Sequence, residues 1–375
     1  MKVHRTTIFL LLGLAIVTLA FAPMQASQRE AERREALILL HDEVPSTTAS
    51  SAIRDLGGML WMQINQDAQS YKLGVIDVRA VMQDVDAQCA GRIPPWGVLD
   101  FEEPFFKLLE MPVDAPERQR AVQSMLSALR VAKQRYPGVR WSFYGLPNLP
   151  FWVDGRGWAD LSPTQQADAI RKGEVACRDL VAEADWITVS VYDYYDPRMV
   201  IPGSSTSLRG TPDEAVRNGL VWRMAQVGLA KELAAGKPTI AMVCPFWAPG
   251  GIAPTCELIP THDFVERQIR PCVRAGVSGF ALYAGYPYRI LLVSTINQLD
   301  PTRERGFGRE DWRRAFVRDV FDGKAPRDWA DPTVKSALQR SCSKWIIERL
   351  QAIRTLEAEL PSDVKSPKSG TSARP

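Results

Sequence analysis

Pro94-Pro95-Trp96-Gly97-Val98-Leu99-Asp100-Phe101-Glu102-Glu103 is an apolar run that ends in a cluster of acids. Residues 96–101 read as a short buried strand. Asp100 and Glu102 are two residues apart, and on an extended chain that spacing turns both carboxylates to one face. Two carboxylates so close cannot both ionise freely, so one should keep its proton to higher pH. Two readings fit the segment. One is a solvated acidic turn after a strand. The other is a general acid held protonated near neutrality, as needed to protonate a departing sugar oxygen.

Outward from this stretch, apolar strands alternate with amphipathic helices. Further strands are expected at 59–64, 139–144, 186–192, 238–243 and 279–283, with a short one at 37–40. Helices are expected at 115–136, 162–184, 212–235 and 261–275, with Ser162, Thr211 and Thr261 placed to cap. Helices at 309–321 and 332–357 would close the domain. This rhythm implies parallel strands with crossover helices, either as a closed barrel or as an open doubly wound sheet. A nucleotide-binding open sheet carries a glycine-rich turn after its first strand. Gly57-Gly58 precedes the strand at 59–64, and no Gly-x-Gly-x-x-Gly occurs. The expected fold is therefore an α/β, TIM-barrel-like (β/α) barrel of seven or eight parallel strands, spanning residues 27–360 as one domain.

Residues 1–26 read as a signal peptide. Lys2, His4 and Arg5 precede an apolar core at 8–22, too short for a confident span, and Ala26 is the preferred cleavage position. An uncleaved anchor is the alternative. The protein is thus expected to be exported, periplasmic or secreted, and free of the membrane once cleaved. Residues 361–375 are expected to be a disordered tail. Losing Lys2 and Arg5 lowers the formal charge from +3 to +1. That balance gives no general attraction to nucleic acid. No Cys-x-x-Cys occurs, so a zinc site has no support; the six cysteines allow fifteen pairings that sequence does not choose among, and Cys244–Cys256, which bracket a Pro/Gly-rich loop, are the preferred bridge. His41 and His262 are isolated and read as surface or capping residues. No cofactor or metal is expected.

In a parallel barrel the site lies at the C-terminal strand ends. Tyr144, Tyr192, Asp193, Trp247 and Tyr283 fall there with Asp100 and Glu102. Singly each aromatic reads as packing; together with two acids they fit a sugar-binding cleft. The arginines at 303, 305, 309, 313, 314 and 318 read as a solvated stretch or as a site for sugar carboxylates. Residues 202–207 read as a lid or an exposed connection.

Trp96 to Glu103 resembles the catalytic strand of the hyaluronidase family of glycoside hydrolases. Arg140 to Asn148, Ser190-Val191-Tyr192, Lys237 to Trp247 and Ile259 to Tyr283 resemble that family's later strands in the same order, over roughly residues 90 to 290. The resemblance implies an endo-acting enzyme that cuts beside an N-acetylhexosamine in a polysaccharide. Glu102 would be the proton donor, Asp100 would orient the substrate acetamido group, and Tyr192 would hydrogen-bond it. The acetamido oxygen would serve as nucleophile. Tyr144, Trp247, Tyr283, Asp193 and Glu103 would bind substrate. Trp247 stands where the family has tyrosine, and Tyr283 where it has tryptophan. Stacking can survive both changes while hydrogen bonding need not, so they bear on the substrate more than on the reaction type, and they feed an alternative reading, a non-catalytic barrel that binds glycans or a protein partner.

Overall fold

The structure, a computed structural model, describes residues 37–41, 47–65, 74–193, 212–245, 259–283 and 332–359. Contacts divide the chain into Ile38–Leu356 and a smaller unit of Met1–Leu37 with Glu357–Pro375. In the smaller unit, the Leu37 N–H donates to the Glu357 carboxylate at 2.8 Å.

The larger unit is the expected barrel. Its strands are β1 (Ile38–His41), β2 (Gly58–Asn65), β3 (Trp96–Asp100), β4 (Arg140–Phe143), β7 (Ile187–Ser190), β8 (Thr239–Val243) and β9 (Gly279–Leu282). Between β4 and β7 lies a hairpin of β5 (Trp152–Val153) and β6 (Arg156–Gly157). The seven barrel strands are parallel and ordered β4-β3-β2-β1-β9-β8-β7. Seven near-continuous apolar strands buried on both faces are what a parallel barrel requires.

The seam between β4 and β7 is bridged largely by side chains. Ser142 Oγ donates to Trp186 O at 2.7 Å, and Trp186 Nε1 donates to Arg140 O at 3.1 Å. Thr188 Oγ1 donates to Phe143 O and accepts from Gly145 N. Asp185 completes the seam, its N–H donating to Trp141 O and its carboxylate accepting from Trp141 N, each at 2.9 Å. Hydroxyls and a carboxylate so placed satisfy the strand-edge groups that would otherwise be buried without partners.

Alternation along the strands sorts side chains to two faces. The Trp96 ring, on β3, and the Trp186 ring, just before β7, meet edge-on at 5.1 Å although β3 and β7 are not hydrogen-bonded neighbours. Val98 and Asp100 share the face of Trp96. Gly97, Leu99 and Phe101 face the helices, and a Cβ at Gly97 would stand 2.6 Å from the Trp141 ring.

Helices α1 (Thr47–Asp55), α2 (Val78–Cys89), α3 (Phe105–Leu109), α4 (Pro116–Arg135), α5 (Pro163–Glu183) and α6 (Pro212–Ala234) follow in chain order. Ser162 and Gln165 form the capping box that starts α5. The expected helix over 261–275 is present from Thr261 to Arg274, as α7 (Thr261–Phe264) and α8 (Arg270–Arg274) joined without a gap by a wide π turn at Val265–Ile269. Pro271, with no N–H to donate, interrupts the regular ladder there. Thr261 does not cap: its hydroxyl accepts from Arg349 Nη1 on α9 (Pro332–Glu359) at 2.8 Å. His262 is exposed, but His41, expected at the surface or a cap, is buried at the end of β1 because both flanking strands cover it. The expectations for residues 1–26, Thr211, Cys256, 202–207, 309–321 and 361–375 lie outside the described residues, as do the arginines from 303 to 318. Among the described residues no helix is long and apolar enough to cross a membrane.

Candidate functional site

Asp100 is the last residue of β3, paired in register with Asn65 on β2. Its side chain is 8% exposed. Oδ2 accepts from Gln63 Nε2 at 2.5 Å, and the same amide donates to Asn65 Oδ1 at 3.2 Å. Oδ1 is buried with no hydrogen-bond partner among the described residues. Burial, and then the charge of Glu102, push the Asp100 carboxyl up to about 7 against the opposing Gln63 hydrogen bond. An acid with that midpoint changes protonation near neutrality.

Glu102 lies two residues on, in a turn set by the Phe106 N–H donating to Glu102 O at 3.1 Å. The turn is anchored from the helix side. Phe101 packs on Phe105 at 5.9 Å and on Phe143 at 6.3 Å. Glu102 is solvent-exposed on its outer side but backed by protein, and that desolvation, with Glu103 as the second cause, raises its carboxyl above the ordinary value. Among the described residues no cation pairs with it. Glu103 lies outermost, 3.7 Å from Lys107 in an exposed pair that contributes little stability.

Three tyrosines converge over the same barrel end. The Tyr144 N–H donates to Leu99 O at 2.9 Å, which sets Tyr144 beside the end of β3. Its ring centroid is 6.5 Å from that of Tyr192, after β7. Tyr192 in turn stacks on Tyr283, after β9, at 6.0 Å and 19°. β7 and β9 flank β8, so the Tyr192–Tyr283 contact passes over the end of that strand.

Asp193 sits differently. Arg223 Nη1 of α6 donates to its Oδ1 at 2.5 Å, and Gln268 Nε2 of the π turn donates to Oδ2 at 3.3 Å. Both ion-pair partners are buried. Gln268 also binds the Cys244 N–H and carbonyl, while Gln226 of α6 donates to Ser190 O and accepts from Leu149 N. These side chains tie the ends of β7 and β8 to the outer helices. Asp193 thus has both oxygens engaged, whereas Asp100 has one buried oxygen without a hydrogen-bond partner among the described residues. Trp247 lies outside the described residues.

The sequence reading missed Gln63, Asn65, Arg223, Gln226 and Gln268. The signal for Gln63 was a polar residue at an inward position of an otherwise apolar strand. For Arg223 it was a charge beside Trp222 on a helix face that must be buried. The hairpin was also missed, although Asp154-Gly155, with φ of 51° and 72°, is the pair that a tight hairpin turn favours. Cys177 and Cys272 are buried thiols pushed up to about 12 by burial, which makes them unsuitable as nucleophiles. Among the described residues no cluster of His, Cys, Asp and Glu could hold a metal ion.

No protein-family model matches the chain, and no curated protein matches it. Among solved structures, bee venom hyaluronidase is similar to it with a TM-score of 0.45 and 12% sequence identity, over 66% of this chain and 90% of that one.

Proposed function

We propose that the protein is an exported glycoside hydrolase, cleaving a polysaccharide beside an N-acetylhexosamine by substrate-assisted, retaining catalysis. The observation that carries this reading is the pair of unequal acids at the C-terminal end of the barrel. Among the described residues, Asp100 is buried with one oxygen held by Gln63 and the other without a hydrogen-bond partner, while Glu102 is exposed and without a cationic partner. The raised Glu102 carboxyl suits a group that gives its proton to the leaving oxygen and then takes one from water. Ionised Asp100 accepts the acetamido N–H through Oδ1. That contact turns the acetamido oxygen toward the anomeric carbon, where it displaces the leaving sugar and closes a ring that water later opens. Two inversions at one carbon retain its configuration. Tyr192 holds the acetamido group from the other side, and Tyr144 and Tyr283 offer faces for sugar rings. Asp193, with Arg223, shapes the floor beside Tyr192.

The reading is tested by a screen of polysaccharides containing N-acetylhexosamines, followed by Glu102→Gln on whichever is cleaved. This variant keeps the shape and loses the proton, so activity falls at least about 100-fold. A thiazoline analogue of N-acetylglucosamine inhibits, because it mimics the cyclised intermediate. Wild-type turnover by Glu102→Gln, or an inverted product seen by NMR before mutarotation, would exclude the mechanism.

A further inference from the structure

We infer that Gln63 is a positioning residue for Asp100: its carboxamide occupies Oδ2 and leaves Oδ1 as the oxygen that carries the proton or meets a bound group. The inference rests on the reading above only for what that oxygen does in catalysis. The hold itself is a matter of geometry.

Residues 61, 63 and 65 of β2 alternate onto the face that carries Asp100, since Gln63 pairs with Val98 and Asn65 with Asp100. A primary amide has two donor hydrogens. Gln63 uses one toward Asp100 Oδ2 at 2.5 Å and the other toward Asn65 Oδ1 at 3.2 Å. Both being engaged fixes the plane of the amide. The backbone of Gln63 is held as well, its carbonyl accepting from Gln88 Nε2 on α2 at 2.8 Å. A carboxyl hydrogen on Oδ2 would point at an amide hydrogen, so the protonated form of Asp100 places it on Oδ1. In the ionised form the same oxygen is a buried acceptor without a hydrogen-bond partner among the described residues. An acceptor so placed is costly until a donor arrives, which favours a ligand that brings an N–H or O–H to that point.

The groups that bear on the Asp100 charge are few. Glu102, on its own segment, is the one charged cause, and it raises the carboxyl. β2 contributes the neutral amides of Gln63 and Asn65, and β4 the neutral side chain of Ser142, which pairs with Val98. Among the described residues no cation contributes. Among the described residues, Gln63 is therefore the one neighbour that draws the carboxyl downward.

The test follows the Asp100 carboxyl carbon by NMR against pH in the full-length protein and in Gln63→Met and Gln63→Glu, with melts confirming that each variant folds. Methionine keeps the length and removes the donor, so the midpoint should rise by about 0.5 to 1 pH unit. Glutamate adds a like charge and should raise it further. A midpoint unchanged from wild type in both folded variants overturns the assignment. On a cleaved substrate, the acid limb of the pH–rate profile of Gln63→Met should move with the NMR midpoint. A midpoint that moves while the profile stays supports Gln63 as the residue holding Asp100 and counts instead against the catalytic reading of Asp100.

Discussion

Asp100→Asn should stabilise the protein above neutral pH while it disables the proposed chemistry. In the folded protein the Asp100 carboxyl is raised from its ordinary 3.8 to about 7, chiefly by burial. Between those values the native state holds a proton that the unfolded chain has released. Stability therefore falls as pH rises from 3.8, and the loss is complete above about 7. At 1.36 kcal/mol per pH unit the full effect is about 4 kcal/mol. Asparagine has the same shape, can accept from Gln63 and never ionises. Variant and wild type should therefore be about equally stable near pH 4. By pH 8 the variant should be the more stable by about 2 to 4 kcal/mol, the lower figure allowing for water reaching the site. Glu102 is raised in the same direction, and its contribution largely cancels in the comparison. Urea denaturation of both proteins from pH 4 to 8.5 measures the difference directly. A difference that stays flat over that range would show that Asp100 is not buried as a reluctant anion, and the reasoning about its role would fall with it. A substitution that stabilises a protein by removing a charge from its site marks that site as one where stability is sacrificed to function.

Two further substitutions probe what surrounds the site. Arg223→Met leaves the buried Asp193 without its ion-pair partner and should cost about 3 to 5 kcal/mol in urea denaturation; pairing it with Asp193→Asn should recover most of that, and a full loss in the double variant would contradict the ion-pair account. Gly97→Ala sets a methyl 2.6 Å from the fully buried Trp141 ring and should lower stability by about 1 to 3 kcal/mol, whereas an unchanged melting temperature would mean that β3 and β4 are not packed in this register.

Much of the barrel was legible in the sequence because its signals are short-range. Period-two and period-3.6 patterns place residues of one strand or helix within a few positions of each other. That is why 96–101 and 162–184 were read nearly to their ends. The same local geometry put Asp100 and Glu102 on one face before any packing was known. Capping at Ser162 is equally local. Where a distant residue intervened, the local reading failed. Thr261 was taken by Arg349, 88 positions away, and the helix it should have capped carries an unforeseen π turn that places Gln268.

What makes the two acids unequal is tertiary. Sequence spacing predicts that one of a close pair keeps its proton, but it is symmetric between them. The asymmetry comes from burial and from partners far along the chain. Gln63 reaches Asp100 across 37 residues, and Arg223 reaches Asp193 across 30. The convergence of Tyr144, Tyr192 and Tyr283 likewise needs strands that are distant in sequence to end side by side. The sequence by itself determined which residue types stand at the strand ends, since periodicity is a property of neighbours. Which carboxylate is sealed from water, and which is tied to an arginine, was decided only when the barrel closed, because desolvation and charge pairing depend on distance in space.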